Sequence, residues 1–302
     1  MKATVIGANG YIARNLIYML NKDTRFDEFF LYDKDDVQKE GMGYYERIDI
    51  LSKESVSSIN YDVDVVFMFI GKTGSADGFD NPDVFIDINE RALLYVLNEY
   101  VSQKSNAKII FPSTRLLYDH NSNAIEKDVS YRLNTVYAVN KLACEKYIEL
   151  YHNIFELRYA IARICIPYGT IVSGASSYGT VEFMLSKAEK GENISLYGDG
   201  SPRRTLTYIG DLCRAILDIA ASDDCKNDIY NIGGEDYSLF EMADVISKSR
   251  GVDVDFVDYP EIASKIESGD TVFNDDKLKG LIGDYQHMKF RDWVEQRNEA
   301  YR

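Results

Sequence analysis

Apolar runs and stretches of helical periodicity alternate through the first half of the chain. KATVI (2–6), EFFLYD (28–33), GYYERIDI (43–50), VDVVFMFIG (63–71), AKIIFPST (107–114) and RYAIARICI (158–166) read as strands. VDVVFMFIG is apolar nearly throughout, as expected of a strand covered on both faces. Between the strands, YIARNLIYML (11–20), a short polar helix after residue 50, VFIDINERALLYVLNEYVSQ (84–103) and NTVYAVNKLACEKYI (134–148) place apolar residues at helical spacing. Such alternation predicts an α/β fold built on a doubly wound parallel sheet. After Pro167 the pattern changes. GTVEFMLSKAEKG (179–191) is helical, NISLYGDGSPRRTLTYIGDL (193–212) is loop-rich with short strands, and DIYNIGG (228–234) returns to the sheet. The expected division is residues 1–167 as one domain, with a returning strand near 228–233, and residues 168–302 mainly as a smaller mixed α/β lobe.

The turn between the first strand and first helix, VIGANGYIA, holds Gly7 and Gly10. Glycines there let backbone amides approach a pyrophosphate at a helix N-terminus. Asp33 ends the second strand, about 20 residues further on, where a carboxylate binds an adenosine ribose. Together these predict a Rossmann-type dinucleotide site. Asp33 repels a 2′-phosphate and so favours NAD, while Lys34 and Lys39 leave NADP open. Read alone, Asp33 is an ordinary strand-end turn cap.

Tyr137 and Lys141 lie one turn apart on a helix face. A phenol beside an ammonium is by default a surface pair. It is also a way to lower a tyrosine's ordinary pKa of about 10, because the cation stabilises the phenolate. FPSTRLLYD puts Thr114 at the carboxyl end of the preceding strand, the edge where doubly wound sheets bind ligands.

A glycine turn, a strand-end threonine and a Tyr-x-x-x-Lys helix in this order resemble the extended short-chain dehydrogenase/reductase family, the nucleotide-sugar epimerases and dehydratases. The likeness runs over most of the chain. GANGYIA resembles the family's Gly-x-x-Gly-x-x-Gly turn, with Ala13 for the last glycine. The resemblance implies Thr114, Tyr137 and Lys141 as catalytic groups. It implies a cofactor site formed by Gly7, Asn9, Gly10, Tyr11, Ile12, Asp33, Asp49, Ile50, Ile70, Gly71, Lys72 and Asn89, together with Tyr137 and Lys141. Arg204, in LYGDGSPRRTLTYIGDL, matches an arginine on the substrate diphosphate, although by residue type Arg203–Arg204 reads as a solvated loop pair. Tyr197 matches a base-packing position and Asp211 an acid near the lobe junction. Thr73, Arg115 and Tyr168 are sugar neighbours by position alone. Two departures stand out: Ile166 replaces a family asparagine, and a phosphate-binding arginine has no counterpart around IESGDTVF (266–273).

The resemblance also narrows the reaction. A 4,6-dehydratase carries an acidic pair after the catalytic threonine, where this chain has Arg115 and Leu116. A decarboxylase glutamate is missing at Leu116, and a 3,5-epimerase/reductase cysteine and histidine are not at their places. What remains is a 4-ketoreductase acting on a nucleotide-linked 4-keto-6-deoxyhexose with NAD(P)H, as in surface-polysaccharide sugar biosynthesis, or a 4-epimerase. Segment likeness and chain length favour the reductase, and Asp33 favours the epimerase. A non-catalytic dinucleotide-binding protein is the remaining alternative, and the retained Tyr-x-x-x-Lys pair speaks against it. The two long helices imply a homodimer, as they pair across a two-fold axis in the family.

Composition removes other classes. At 302 residues and 45% hydrophobic the chain has ample core. A net charge of −15 without a basic block argues against nucleic acid. No apolar run reaches membrane-spanning length, and MKATVIGANG lacks a signal-peptide pattern. Four scattered cysteines and three histidines lack metal-ligand spacing, so no metal is expected. These features imply a reducing, cytoplasmic setting.

Overall fold

The structure, a computed structural model, describes every residue except Ser176, Tyr178, Gln286, Tyr301 and Arg302, with residues 298–300 described in backbone only. In chain order, β1 (Lys2–Ile6), α1 (Tyr11–Leu20), β2 (Glu28–Asp33), β3 (Tyr44–Arg47), α2 (Lys53–Ser57) and β4 (Val65–Met68) open the chain. Next come α3 (Asp77–Asp80), α4 (Pro82–Phe85), α5 (Ala92–Ser102), β5 (Lys108–Thr114), β6 (Asn121–Ala124), α6 (Val136–Phe155), β7 (Arg158–Ile164) and β8 (Ile166–Tyr168). Then follow α7 (Thr180–Glu189), β9 (Ile194–Tyr197), β10 (Arg203–Tyr208), α8 (Ile209–Ala221), β11 (Asp228–Asn231), β12 (Glu235–Ser238) and α9 (Leu239–Arg250). The last elements are β13 (Val254–Val257), α10 (Glu261–Ile266), β14 (Thr271–Phe273), α11 (Asp276–Ile282) and α12 (Phe290–Ala300).

Seven parallel strands form the main sheet in the order β11-β7-β5-β4-β1-β2-β3. Strand order reverses between β1 and β4, and the carboxyl edge of that seam is where a doubly wound sheet opens a ligand crevice. Helices cover both faces. On one side Leu16, Ile17 and Leu20 of α1 meet Leu212, Ile216 and Ile219 of α8. On the other, Val56, Leu93, Val96, Leu97, Cys144 and Ile148 come from α2, α5 and α6. Lys108 at the start of β5 is 3% exposed and donates to the carbonyls of Ile219, Ala220 and Ser222 at 2.6–3.2 Å. A cation placed on those orphan carbonyls ends α8 favourably.

The smaller part has a five-stranded sheet, β12-β10-β14-β6 with β8 beside β10, and a β13-β9 pair. Its core gathers Tyr168, Leu206, Met242, Ile246, Phe290 and Trp293. β6 lies within residues 1–167 yet pairs with β14, Ile166 and Pro167 of β8 pair with β10, and α8 packs on α1, so the division in sequence is crossed repeatedly in space. The returning strand at 228–231 pairs in parallel with β7, as the pattern predicts. The helix expected over 84–103 is not uniform. It runs from α4 through a π-helical stretch, Ile86–Arg91, into α5. The widened turn carries Asn89, a frequent mark of functional positions.

A buried polar network joins these layers. Arg163 of β7 and Glu145 of α6 form a two-pronged pair at 2.9 and 2.6 Å, with side chains 1% and 0% exposed. Arg163 also donates to Tyr118 Oη and the Glu126 carbonyl, and Tyr118 donates to Asn231 Oδ1 at 2.7 Å. Breaking a buried pair leaves an uncompensated charge, so Arg163→Met alone is expected to lose about 3–5 kcal/mol of stability. The double change Arg163→Met with Glu145→Leu is expected to lose much less. Urea unfolding of the single and double variants checks this, and equal losses would refute it.

Candidate active site

The glycine turn sits on the β1–β4 seam. Gly7 has φ +88°, and a Cβ there would stand 2.9 Å from the Phe69 backbone. Only glycine meets both demands, and the chain thereby passes close to the carboxyl end of β4. Gly10 precedes α1 without a side-chain cap, leaving amides at that terminus for an anion. Asp33 at the end of β2 accepts from the Asn9 amide at 2.9 Å, which locks the ribose-side carboxylate to the turn. The Asn9 side chain in turn holds the following loop, through the Val37 carbonyl and the Lys39 amide. Asp35 and Asp36 already pair with Lys39 and Arg47.

Around the seam, Ile70, Gly71, Lys72 and Thr73 form the loop after β4, with the last three exposed. Asn89 grips that loop: its Oδ1 accepts from the Lys72 amide at 3.0 Å and its Nδ2 donates to the Lys72 carbonyl at 3.1 Å. A methyl group at Gly71 would lie 3.7 Å from Lys141 Nζ, so cofactor loop and lysine are neighbours. Lys72 Nζ is committed to Asp77 at 3.0 Å. Ile12 is half-buried on α1, Ile50 is buried, and Asp49 is exposed beyond β3. Tyr11 donates to the Gly169 carbonyl at 2.7 Å, tying the turn to the smaller part of the molecule.

Helix α6 begins at Thr135, whose hydroxyl accepts from the Ala138 amide. That start sets Tyr137 in the first turn and Lys141 in the second, both toward the end of β5. Lys141 Nζ donates to the Pro112 carbonyl at 2.7 Å and lies 4.3 Å from the Phe111 ring centre and 5.9 Å from that of Tyr137. Its pKa is lowered to about 8, chiefly by burial. Burial, then Cys144, pushes the Tyr137 phenol above its ordinary value, while its hydrogen bond with Thr114 works the other way. The expectation that Lys141 lowers the phenol's pKa is therefore not met in the ligand-free protein. The ammonium spends its hydrogen bond on Pro112, and desolvation dominates at both groups. Thr114 is 6% exposed, and its Oγ1 also accepts from the Leu116 amide at 3.2 Å. Threonine, tyrosine and lysine converge at the carboxyl end of β5.

The substrate-side residues divide. Tyr197 is 47% exposed beside Tyr259, open enough to cover a flat ring. Tyr168 is 1% exposed, donates to the Met288 carbonyl and packs against Tyr208, Phe290 and Trp293. This corrects its assignment as a sugar neighbour: aromatic packing consumes it. Arg204 is no solvated loop residue. It is 1% exposed, donates to the carbonyls of Arg203 and Gly269, and pairs with Glu267 at 2.5 Å. Asp211 accepts from the Met288 amide. Arg115 donates to Ser268 Oγ at 3.0 Å.

Sequence reasoning missed Cys144, which donates to the Asn89 carbonyl at 3.1 Å. Its spacing of seven from Tyr137 and three from Lys141 on one helix was the available signal. Glu267 gave none, since its role depends on a fold contact with Arg204. Three larger cavities, about 570 Å³ between β12 and α9, about 660 Å³ between α1 and α8 and about 620 Å³ between α6 and β11, do not include Thr114, Tyr137 or Lys141.

Residues 3–233 match the NAD dependent epimerase/dehydratase family, and the chain belongs to it. NAD is accordingly its cofactor, and the glycine cradle and Asp33 fit that group. The chain is an enzyme of the nucleotide-sugar epimerase, dehydratase and reductase kind. A putative UDP-glucose 4-epimerase of Methanocaldococcus jannaschii is 27% identical, covering 82% of each chain. A UDP-glucuronate 4-epimerase of Thermodesulfobacterium geofontis is 26% identical over 71% of this chain and 66% of its own. The solved UDP-glucose 4-epimerase of Thermus thermophilus, in complex with NAD, superposes with a TM-score of 0.84 at 21% identity, covering 100% of this chain and 99% of its own. Among the described residues no helix is long and apolar enough to cross a membrane, and no cluster of side chains suits a metal ion.

The lysine gives a pH test. Its folded pKa of about 8 lies below the ordinary 10.5, so the unfolded chain holds the proton more tightly. Lys141 thus costs stability below about pH 8, and the cost fades as pH rises toward 10.5. In cofactor-free protein, the unfolding free energy of wild type relative to Lys141→Met is expected to rise across that window. Unfolding curves at several pH values check this, and a flat difference would refute it.

Proposed function

We propose that the enzyme is an NAD-dependent nucleotide-sugar 4-epimerase in which Thr114, Tyr137 and Lys141 act on the sugar C4 oxygen. The observation that carries this reading is their convergence at the carboxyl edge of β5, beside the Gly7 seam. Asp33, held to the Asn9 amide, sets a carboxylate at the ribose end, which suits NAD kept through a cycle rather than exchanged NADPH. NAD supplies the acceptor and donor of hydride. Tyr137 takes the C4 hydroxyl proton and returns it, Thr114 hydrogen-bonds the same oxygen, and Lys141 sets local charge and binds ribose hydroxyls. Residues 1–167 with the returning strand carry the cofactor, and 168–302 mainly the sugar nucleotide. Tyr197 covers the base and Arg204 meets the diphosphate by exchanging its bond to Glu267. The four free cysteines accord with a cytoplasmic setting.

A second reading, a 4-ketoreductase acting on a nucleotide-linked 4-keto-6-deoxyhexose, is favoured by Tyr137 itself. Its phenol is held protonated in the ligand-free protein, the state needed to protonate a new alkoxide. Incubating the protein with C4-epimeric nucleotide sugars, and separately with NADH or NADPH and 4-keto-6-deoxyhexose nucleotides, separates the two. Interconversion without net loss of reduced nicotinamide is expected. Stoichiometric loss would establish the reductase. Tyr137→Phe is expected to lower kcat by about 10²–10⁴ in either case, and unchanged turnover would remove the tyrosine from the chemistry.

The same reading includes a homodimer. Val139, Leu150 and Ile154 are 51–63% exposed along one face of α6, next to exposed Phe79, Val84 and Ile86. The segments that carry Phe79, Val84 and Ile86 pack on α6, and this set of exposed apolar residues suits a second copy of the chain. Sedimentation is expected to give a dimer, and Leu150→Glu with Ile154→Glu a monomer. A wild-type monomer at micromolar concentration would overturn it.

A further inference from the structure

Arg115 leads the single helical turn Arg115–Leu117, one residue past the Thr114 hydroxyl. Among the described residues its guanidinium has one side-chain hydrogen-bond partner, Ser268 Oγ at 3.0 Å, and no carboxylate at ion-pair distance. The charge that acts on it most strongly is of the same sign. Arg204 faces it and depresses its pKa, already lowered by burial, to about 10. Glu267 attracts both arginines, but its short bond goes to Arg204. Both arginines thus reach the 267–269 segment, Arg115 at Ser268 and Arg204 at Gly269 and Glu267, so that one carboxylate serves two guanidiniums. A half-buried cation under the influence of a second cation costs free energy unless an anion completes it. Among the described residues no carboxylate pairs with Arg115, although the net charge of the chain is −15.

The position of the unmatched charge points to the missing anion. If C4 of a pyranose lies at Thr114 and Tyr137, the substituent on C5 is its neighbour and falls beside the next residue, Arg115. In a nucleotide-linked pyranose the C5 substituent and the anomeric diphosphate flank the ring oxygen. They share one edge of the sugar. Two guanidiniums on one short segment match an edge that carries two anionic groups, one for each arginine. A planar guanidinium suits a carboxylate by a two-pronged bond. We propose that Arg115 is a specificity-determining residue that binds a carboxylate on C5 of the sugar, so that the substrate is a nucleotide-linked hexuronate rather than a neutral hexose.

This inference rests on the C4 reading above, and its test separates the two. UDP-glucuronate and UDP-glucose, and the dTDP-linked pair, are compared for turnover and, by calorimetry, for binding. Wild type is expected to prefer the acidic member roughly a hundredfold in kcat/KM, and to bind it more tightly. Arg115→Gln is expected to lose that factor for the acid while leaving the neutral sugar within a few-fold, and Arg115→Lys to keep part of it. An equal fall for acid and neutral sugars would overturn the proposal and assign Arg115 to the diphosphate. Absence of an acidic preference in wild type would also overturn it. If no pair is turned over, the C4 reading fails, and the calorimetric preference and its loss in Arg115→Gln still decide the role of Arg115.

Discussion

The buried pair between Arg163 and Glu145 is the contact on which the rest of the molecule leans. Two charges removed from water in a protein interior hold only if every remaining donor finds a partner. Arg163 meets that condition by reaching Glu145, Tyr118 and the Glu126 carbonyl. Tyr118 extends the chain of bonds to Asn231, and Asn231 donates to the Ala124 and Asn274 carbonyls. A single network thus crosses from α6 and β7 to the returning strand and then to β6, in the second sheet. Its consequence for chemistry is positional. Glu145 stands one turn past Lys141 on α6, so the anchor that fixes the helix in the core also fixes the lysine at its mouth.

Burial is the second constraint, and it acts against the simple charge argument for a Tyr–Lys pair. With Lys141 bonded to Pro112 and packed over Phe111, each group loses more hydration than it gains from the other. The lysine moves toward neutrality and the tyrosine keeps its proton. The ligand-free site is thus set as a proton donor beside a weakly held cation.

The substrate side is governed by an exchange of partners. Glu267, in the segment where the resemblance left a phosphate-binding arginine unmatched, holds Arg204 in the ligand-free protein. Arg115, on the turn after β5, reaches the neighbouring Ser268 and has no carboxylate of its own among the described residues. The same substitution that argued against dehydratase chemistry, arginine for an acid after Thr114, thereby becomes a reason to look for an acid on the sugar.

Much of this was legible in the chain itself. Parallel strands buried on both faces must be apolar, and KATVI, VFM and KIIF display it; crossover helices must show a periodic apolar face, and YIARNLIYML does. Gly7 was readable because a left-handed turn tight against a neighbouring strand leaves no room for a side chain. Asp33, Thr114, Tyr137 and Lys141 were readable because each lies at a fixed offset from the end of a strand or start of a helix. What tertiary structure alone decided are contacts between residues far apart in the chain. Tyr168 disappeared into an aromatic core with Phe290 and Trp293, Arg204 found Glu267, and the helix over 84–103 widened at Asn89 to grip the Lys72 backbone. Periodicity reports which face of an element is covered. It carries no information on which distant residue covers it, and both the desolvation of a charge and the choice of its partner depend on that.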